Sequence, residues 1–217
     1  MENNIQDYWN TRLQAVRKNL VANNFEVHLV RDIKEAAELV AETLIPALSP
    51  ASISWGGSMT FTATGLYDQL KNRTDITILD TYDKHISRED SLERRRQALL
   101  TDLFFTGTNA ITESGKLVNL DMIGNRVGAI AFGPKHVIVL AGRNKIVTDV
   151  DAGVQRIKNY AAPVNTRRLD KKTPCAATFS CHDCSSPDRI CNTWVITEKS
   201  FPKNRIKIVL INEDLGF

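Results

Sequence analysis

Ala51-Ser52-Ile53-Ser54-Trp55-Gly56-Gly57-Ser58-Met59-Thr60 holds the fold in miniature. Ala51–Trp55 reads as a strand, Gly56 and Gly57 stop it, and Ser58 stands where a helix N-cap belongs, with that helix running to about Leu70. The same alternation extends outward in both directions. Upstream, Trp9, Leu13, Val16 and Leu20 repeat at helical spacing within 6–22, and 25–30 alternates like a short strand. Asp32 with Glu35 has the form of a capping box opening a helix that should end near Leu44, before Pro46. Downstream come a strand at 76–79, a charged exposed helix at 88–101, and strands at 103–106, 117–120 and 137–141, the last apolar enough to be buried on both faces. A short helix fits 124–132. A longer one fits 149–160, where Val150, Val154 and Ile157 share a face. Strand–helix alternation of this kind predicts an α/β three-layer sandwich with a largely parallel sheet.

The expected organisation is an α/β domain over 1–164 and a C-terminal extension over 165–217. The extension carries a cysteine cluster and two strands, at 193–197 and 206–211, expected at sheet edges. The chain has 217 residues, 42% of them hydrophobic, and 28 Lys+Arg against 25 Asp+Glu. A net charge of +3 is too small to argue for nucleic acid or a membrane surface. The first residues lack the basic and apolar regions of a secretory signal, and no apolar run reaches the length of a membrane span. The expected setting is cytoplasmic, where structural disulfides are rare.

In a parallel α/β sheet, ligands collect beyond the carboxyl ends of the strands, and four polar segments fall there. In the first, Gly56 and Gly57 allow a close backbone approach, with Ser58 and Thr60 opening the helix; a tight capped turn explains most of the same residues. The second supplies Thr108 and Asn109 as neutral hydrogen-bonding groups and Glu113 as a candidate general base. Its alternative is a hairpin with a polar turn at 113–115. The third and fourth place Asn125 with Arg126, and Asn144 with Lys145, and both cations suit a carboxylate or phosphate. The candidate catalytic set is Glu113, Asn109 and Lys145; the candidate ligand-binding set is Gly56, Gly57, Ser58, Thr60, Thr108, Asn125, Arg126 and Asn144. The run Arg94-Arg95-Arg96 points in three directions from a helix and reads as a solvated face. The four histidines lie outside these segments, which disfavours a Ser-His-Asp triad. No nicotinamide or flavin fingerprint is present.

Cys175, Cys181, Cys184 and Cys191 fall in one short segment with a C-x2-C step. Four thiolates suit a tetrahedral zinc or an iron–sulfur cluster, although the spacing matches neither a zinc ribbon nor a ferredoxin run. Free thiols in a surface loop are the alternative.

Trp55-Gly56-Gly57-Ser58-Met59-Thr60, Thr106-Gly107-Thr108-Asn109-Ala110, Glu113-Ser114-Gly115, Gly124-Asn125-Arg126-Val127, Gly133-Pro134-Lys135 and Ala141-Gly142-Arg143-Asn144-Lys145-Ile146-Val147, taken in that order, resemble the LUD domain family of lactate-utilization proteins, the YkgG or LutC-like family. The tail, with Cys184-Ser185-Ser186-Pro187-Asp188-Arg189-Ile190-Cys191 and Glu213-Asp214-Leu215-Gly216, looks like a bacterial subgroup with four cysteines. The resemblance implies a fold akin to the NagB/RpiA/CoA transferase-like group. It also implies a role in oxidising lactate to pyruvate beside iron–sulfur oxidoreductase subunits. The expected function is a subunit or accessory of that reaction binding a small anionic ligand, with catalysis by the isolated chain and homo-oligomerisation both open. Two alternatives stand beside it: a stand-alone sugar-phosphate isomerase or acyl/CoA-transfer enzyme, and a metal- or redox-sensing binding protein.

Overall fold

Apolar spacing, caps and prolines decide where the elements begin and end. The computed structural model describes residues 2–217. It opens with α1 (Glu2–Ala22), whose Leu13, Val16 and Leu20 form a buried stripe. β1 (Glu26–Val30) follows, then α2 (Ile33–Glu38), capped by the Asp32 carboxylate accepting from the Glu35 N–H at 2.8 Å. Glu35 takes the Arg31 N–H, so the box expected here closes one residue earlier. The helix does not stop before Pro46. It widens into a π-helical turn, Leu39–Leu44, and continues as α3 (Ile45–Leu48). Proline has no N–H and its ring crowds the carbonyl four residues back, and a wider turn relieves both constraints.

β2 (Ser52–Trp55) leads to α4 (Met59–Ala63) and α5 (Leu66–Leu70). The single helix expected there is divided at Gly65, whose φ of 74° takes the left-handed region. β3 (Thr77–Leu79), α6 (Arg88–Gln97), β4 (Leu103–Gly107), β5 (Ala110–Thr112) and β6 (Leu117–Asp121) come next. After them run α7 (Asn125–Ala131), β7 (His136–Gly142), β8 (Ile146–Val147) and α8 (Val150–Arg156). A second π-helical turn, Ile157–Ala161, carries α8 past Pro163 into α9 (Ala162–Arg168). α10 (Pro174–Thr178), β9 (Thr193–Thr197) and β10 (Ile206–Ile211) complete the order.

Six strands in the order β1-β10-β7-β4-β2-β3 form the main sheet, and every pair is parallel. One face packs Ile53, Trp55, Phe105, Leu140 and Val209 against α2 to α5. The other packs Val137, Val139, Ile208 and Leu210 against α1, Ile130 of α7, and Ile111 and Leu117 of a second sheet. The three-layer α/β sandwich is therefore present, with a small sheet (β8-β5-β6-β9) occupying part of one outer layer. Within it β6 pairs antiparallel with β5 and β9.

Two expectations about the C-terminal extension are corrected. The division at residue 164 falls inside α9, and β10 is no edge strand: it lies between β1 and β7. Its side chains are buried from Ile206 to Ile211, including Lys207, whose ammonium pairs with Glu26 at 3.2 Å. Just before it, the buried Arg205 guanidinium donates to the carbonyls of Ala129 and Ile130 at 2.7 Å and of Pro134 at 3.1 Å, closing the C-terminal end of α7. β9 does sit at an edge, of the small sheet.

Val209→Asp should abolish folding, because an unpaired carboxylate at a fully buried position costs several kcal/mol. Ile196→Lys on β9, where the side chain is 45% exposed, should shift stability by no more than about 0.5 kcal/mol. Urea unfolding of the two variants checks the contrast.

Candidate functional site

All six parallel strands end at the same edge, and the segments leaving β2, β3, β4, β7 and β10 converge beyond it. At β2 the turn is held from below. Trp55 donates its indole N–H to Asp80 at 3.0 Å, and the Tyr82 hydroxyl donates to the Gly56 carbonyl at 2.7 Å and accepts from the Ser58 N–H at 3.1 Å. Burial pushes the Tyr82 hydroxyl up to about 12, so it stays protonated and able to donate. The Ser58 hydroxyl caps α4 by accepting from the Phe61 N–H at 3.1 Å.

The two glycines of the turn differ. A Cβ on Gly56 would lie 3.0 Å from the Phe104 ring and 3.1 Å from the Arg126 side chain, so Gly56 serves packing. A Cβ on Gly57 would meet no protein atom within 4 Å, and Gly57 lines an open cavity of about 770 Å³. That volume sits within the roughly 300–1,000 Å³ of sites that enclose small-molecule ligands.

Arg126, at the start of α7, organises the inner wall. Its guanidinium donates to Asn119 Oδ1 at 2.6 Å, to Asn109 Oδ1 and the Leu120 carbonyl at 2.8 Å, and to the Gly107 carbonyl at 3.2 Å. Asp121 stands 3.7 Å away. Asn109 also accepts the Leu120 N–H at 3.0 Å, and Thr108 donates to Asn119 at 3.1 Å. The end of β4 is thereby tied to β6 through a network in which almost every polar group has a partner. Asn119 Nδ2 is the exception, a buried atom with none.

Lys145 closes the inner end. It follows β7 and is 6% exposed, and its ammonium donates to the Phe217 carbonyl at 2.9 Å. Burial, with lesser contributions from the positive charges of Arg156 and Arg126, pulls it down to about 7. Arg156 is spent on backbone: it donates to the carbonyls of Asn144 at 3.1 Å and Asn109 at 2.8 Å.

Of the residues expected here, Gly57, Ser58, Thr108, Asn109, Asn125, Arg126 and Lys145 line the cavity. Gly56 and Thr60 lie beneath it. Asn144 faces the chain end, accepting the Leu215 N–H at 3.0 Å. Glu113 is not brought to the cavity: it lies on the β5–β6 turn, exposed, paired with Arg12 of α1 at 2.9 Å. The hairpin alternative for that segment is what forms. The four cysteines are unbridged; Cys181 is exposed, and the Cys175 thiol contacts the Thr166 and Thr173 hydroxyls. Among the described residues no three His, Cys, Asp or Glu side chains are grouped to hold a metal ion. The cysteine segment lends Pro187, Asp188 and Ile190 to the cavity wall.

Arg88, Arg95, Arg168 and Lys171 also line the cavity, and the sequence reading had not gathered them. Arg88 and Arg95 are seven residues apart, a spacing that puts both on one side of α6. Arg95 thus leaves the solvated run it was read into, while Arg94 pairs with Asp83 and Arg96 with Glu93.

Fold and cavity together define an α/β protein with a polar, cation-lined pocket at the strand carboxyl ends. The LUD domain model matches residues 13–211, and the chain belongs to the LUD domain family. It is similar to a DUF162 family protein from Deinococcus radiodurans, known from a crystal structure, at 17% identity over 94% of this chain and 98% of that one, with a TM-score of 0.49. It is also similar to ribose 5-phosphate isomerase from Plasmodium falciparum, at 17% identity over 53% and 54% of the two chains, with a TM-score of 0.31. No curated protein matches it. No helix is long and apolar enough to cross a membrane among the described residues.

Arg126→Met should cost about 3–5 kcal/mol, because it removes a buried charged donor from two backbone carbonyls and two amide oxygens and leaves Asp121 without its cation. Arg126→Lys should recover only part of this, since an ammonium cannot span the same fork of acceptors. Chemical denaturation of both variants measures it.

Proposed function

We propose that this chain binds a small carboxylate or phosphate-bearing anion in the strand-end cavity, and that its role is an accessory or subunit role in oxidising lactate to pyruvate in the cytoplasm. The observation that carries the reading is Lys145. It is a buried amine at the inner end of the cavity, with the Phe217 oxygen as its hydrogen-bond partner at 2.9 Å and no Asp or Glu partner among the described residues. Burying a cation is unfavourable unless its charge is offset, and an anionic ligand in the cavity adds to that offset. Ser58 and Thr108 offer hydroxyls on the same wall, and Asn109 is locked by Arg126 so that its position does not depend on the ligand. Gly57 leaves space that the protein itself does not fill.

The family context supports lactate as the acid. Converting lactate to pyruvate removes two electrons and two protons from the hydroxyl-bearing carbon and its oxygen. The electrons must pass to an acceptor on another protein, for which iron–sulfur oxidoreductase subunits are the proposed partners. This chain's part is to hold the carboxylate at the protonated form of Lys145, while the electrons and protons leave to that acceptor. Glu113 takes no part, because Arg12 holds it elsewhere.

The pH dependence has a definite sign. An anion is held by the protonated form of Lys145, which is abundant below about 7 and lost above it. Affinity for pyruvate or lactate should therefore fall as pH rises from 6 to 9, approaching about ten-fold per pH unit above the transition. Lys145→Met should weaken binding at pH 6 and flatten the profile. Calorimetric titration at several pH values checks both, and a flat wild-type profile would overturn the assignment.

Stability responds in the same window. The folded state holds Lys145 below its ordinary value, so between about 7 and the ordinary lysine range the unfolded chain binds more protons. Rising pH therefore relieves the burial cost. Lys145→Met should gain stability relative to the parent below pH 7, and the gain should shrink as pH rises toward 10. Urea midpoints across that range measure it.

A further inference from the structure

α6 is anomalous for a helix of ten residues on an α/β domain: none of its side chains is buried. Surface helices are ordinarily held by an apolar stripe at i, i+3, i+4, i+7. On α6 those positions are Arg88, Ser91, Leu92 and Arg95, and all four face the cavity. The helix is secured chiefly by Arg94, which donates to the Asp80 carbonyl at 2.9 Å and to Asp83 at 3.0 Å; Arg95 bonds the Ser91 carbonyl of its own helix at 2.9 Å and the Thr81 carbonyl at 3.4 Å. The stripe that should pack against protein lines a polar void instead.

The charges around that void do not balance. Six cationic side chains line it (Arg88, Arg95, Arg126, Lys145, Arg168 and Lys171) against two acidic ones, Asp121 and Asp188. Asp121 stands beside Arg126, and Asp188 lies 3.8 Å from Lys171. Arg88, Arg95 and Arg168 have no carboxylate partner among the described residues. Arg168 is steadied by a neutral group, with two of its N–H groups on Asn165 Oδ1 at 2.8 and 3.0 Å. Its positive charge reaches Tyr82, which places it near the floor of the cavity. Apolar side chains left open to solvent share this lining: Met59 at 38%, Leu92 at 40%, Leu169 at 41% and Ile123 at 50% exposure. A three-carbon acid would fill a small part of a cavity of about 770 Å³.

We infer that Arg88, Arg95 and Arg168 form a second anion subsite, which takes the phosphate or diphosphate end of an extended ligand whose other anionic end reaches Lys145. Forked guanidiniums match phosphate oxygens two at a time, and the apolar walls suit the body of a ligand joining the two ends. The inference rests on reading the cavity as an anion site and adds to it the class of ligand.

Inorganic pyrophosphate probes the arginine subsite and pyruvate the lysine end, each titrated calorimetrically in metal-free buffer. Pyrophosphate should bind the full-length protein and should still bind when pyruvate is saturating. R88Q/R95Q should weaken pyrophosphate about ten-fold or more, on the scale of losing one or two charged hydrogen bonds, with pyruvate affinity unchanged. R168Q should act in the same direction. Because α6 buries no side chain and the Arg88 side chain makes no hydrogen bond among the described residues, R88Q alone should weaken pyrophosphate while keeping the parent's urea midpoint, which separates lost binding from lost folding. No pyrophosphate binding, binding indifferent to R88Q/R95Q and R168Q, or full displacement by pyruvate would overturn the second subsite. Arginine-dependent pyrophosphate binding without any pyruvate binding would sustain it while sinking the reading of Lys145.

Discussion

The guanidinium of Arg126 is the constraint on which the rest of the site depends. It is buried where β4 leaves the main sheet and β6 belongs to the small one, and it satisfies acceptors from both. Without it, two carbonyls and two amide oxygens would each lose a charged donor, although the amide oxygens keep the Leu120 and Asn109 N–H groups and the Thr108 hydroxyl. Its charge also acts at a distance. After burial and Arg156, it adds to what disfavours a charged Lys145, so the residue that secures the architecture also acts on the residue that faces the ligand. Structure and chemistry here share one side chain.

Much of this arrangement can be read from the residues. The Gly56–Ser58 turn, the apolar Val137–Ala141 strand and the Asp149 cap have local causes, and they form where those causes put them. Arg126 and Lys145 were legible as cations at strand ends. What escapes is decided by distant partners. Ile206–Ile211 has the apolar character of a central strand, but Lys207 interrupts it, and the Glu26 carboxylate on β1, with the Asn204 carbonyl, makes that burial tolerable. Glu113 looks like a base in isolation and is claimed by Arg12, about a hundred residues earlier in the chain. The arginines of α6 read as solvent-facing because nothing local reveals the void they face.

The two π-helical turns belong to the same lesson. Each precedes a proline that a reader of sequence takes as a stop, and each lets the helix continue. The second also shapes the site, since Ile157 and Ala161 within it line the cavity, as do Ala162, Asn165 and Arg168 just beyond. A helix ending at Pro163 would not have carried Arg168 there. Wider helical turns are often found at functional positions, and here the reason is reach.

The central place of β10 bears on how the protein is made. During synthesis β1 emerges early, but its neighbour in the sheet is the last strand of the chain, about 180 residues later. Until then β1 and β7 each present an unpaired edge, the kind of surface that invites aggregation. The main sheet therefore closes late and through contacts of long sequence separation, which slow folding. Until β10 is made, β1 stands as a lone strand beside the four-stranded β7-β4-β2-β3 sheet, and that open edge gives chaperones a natural point of entry.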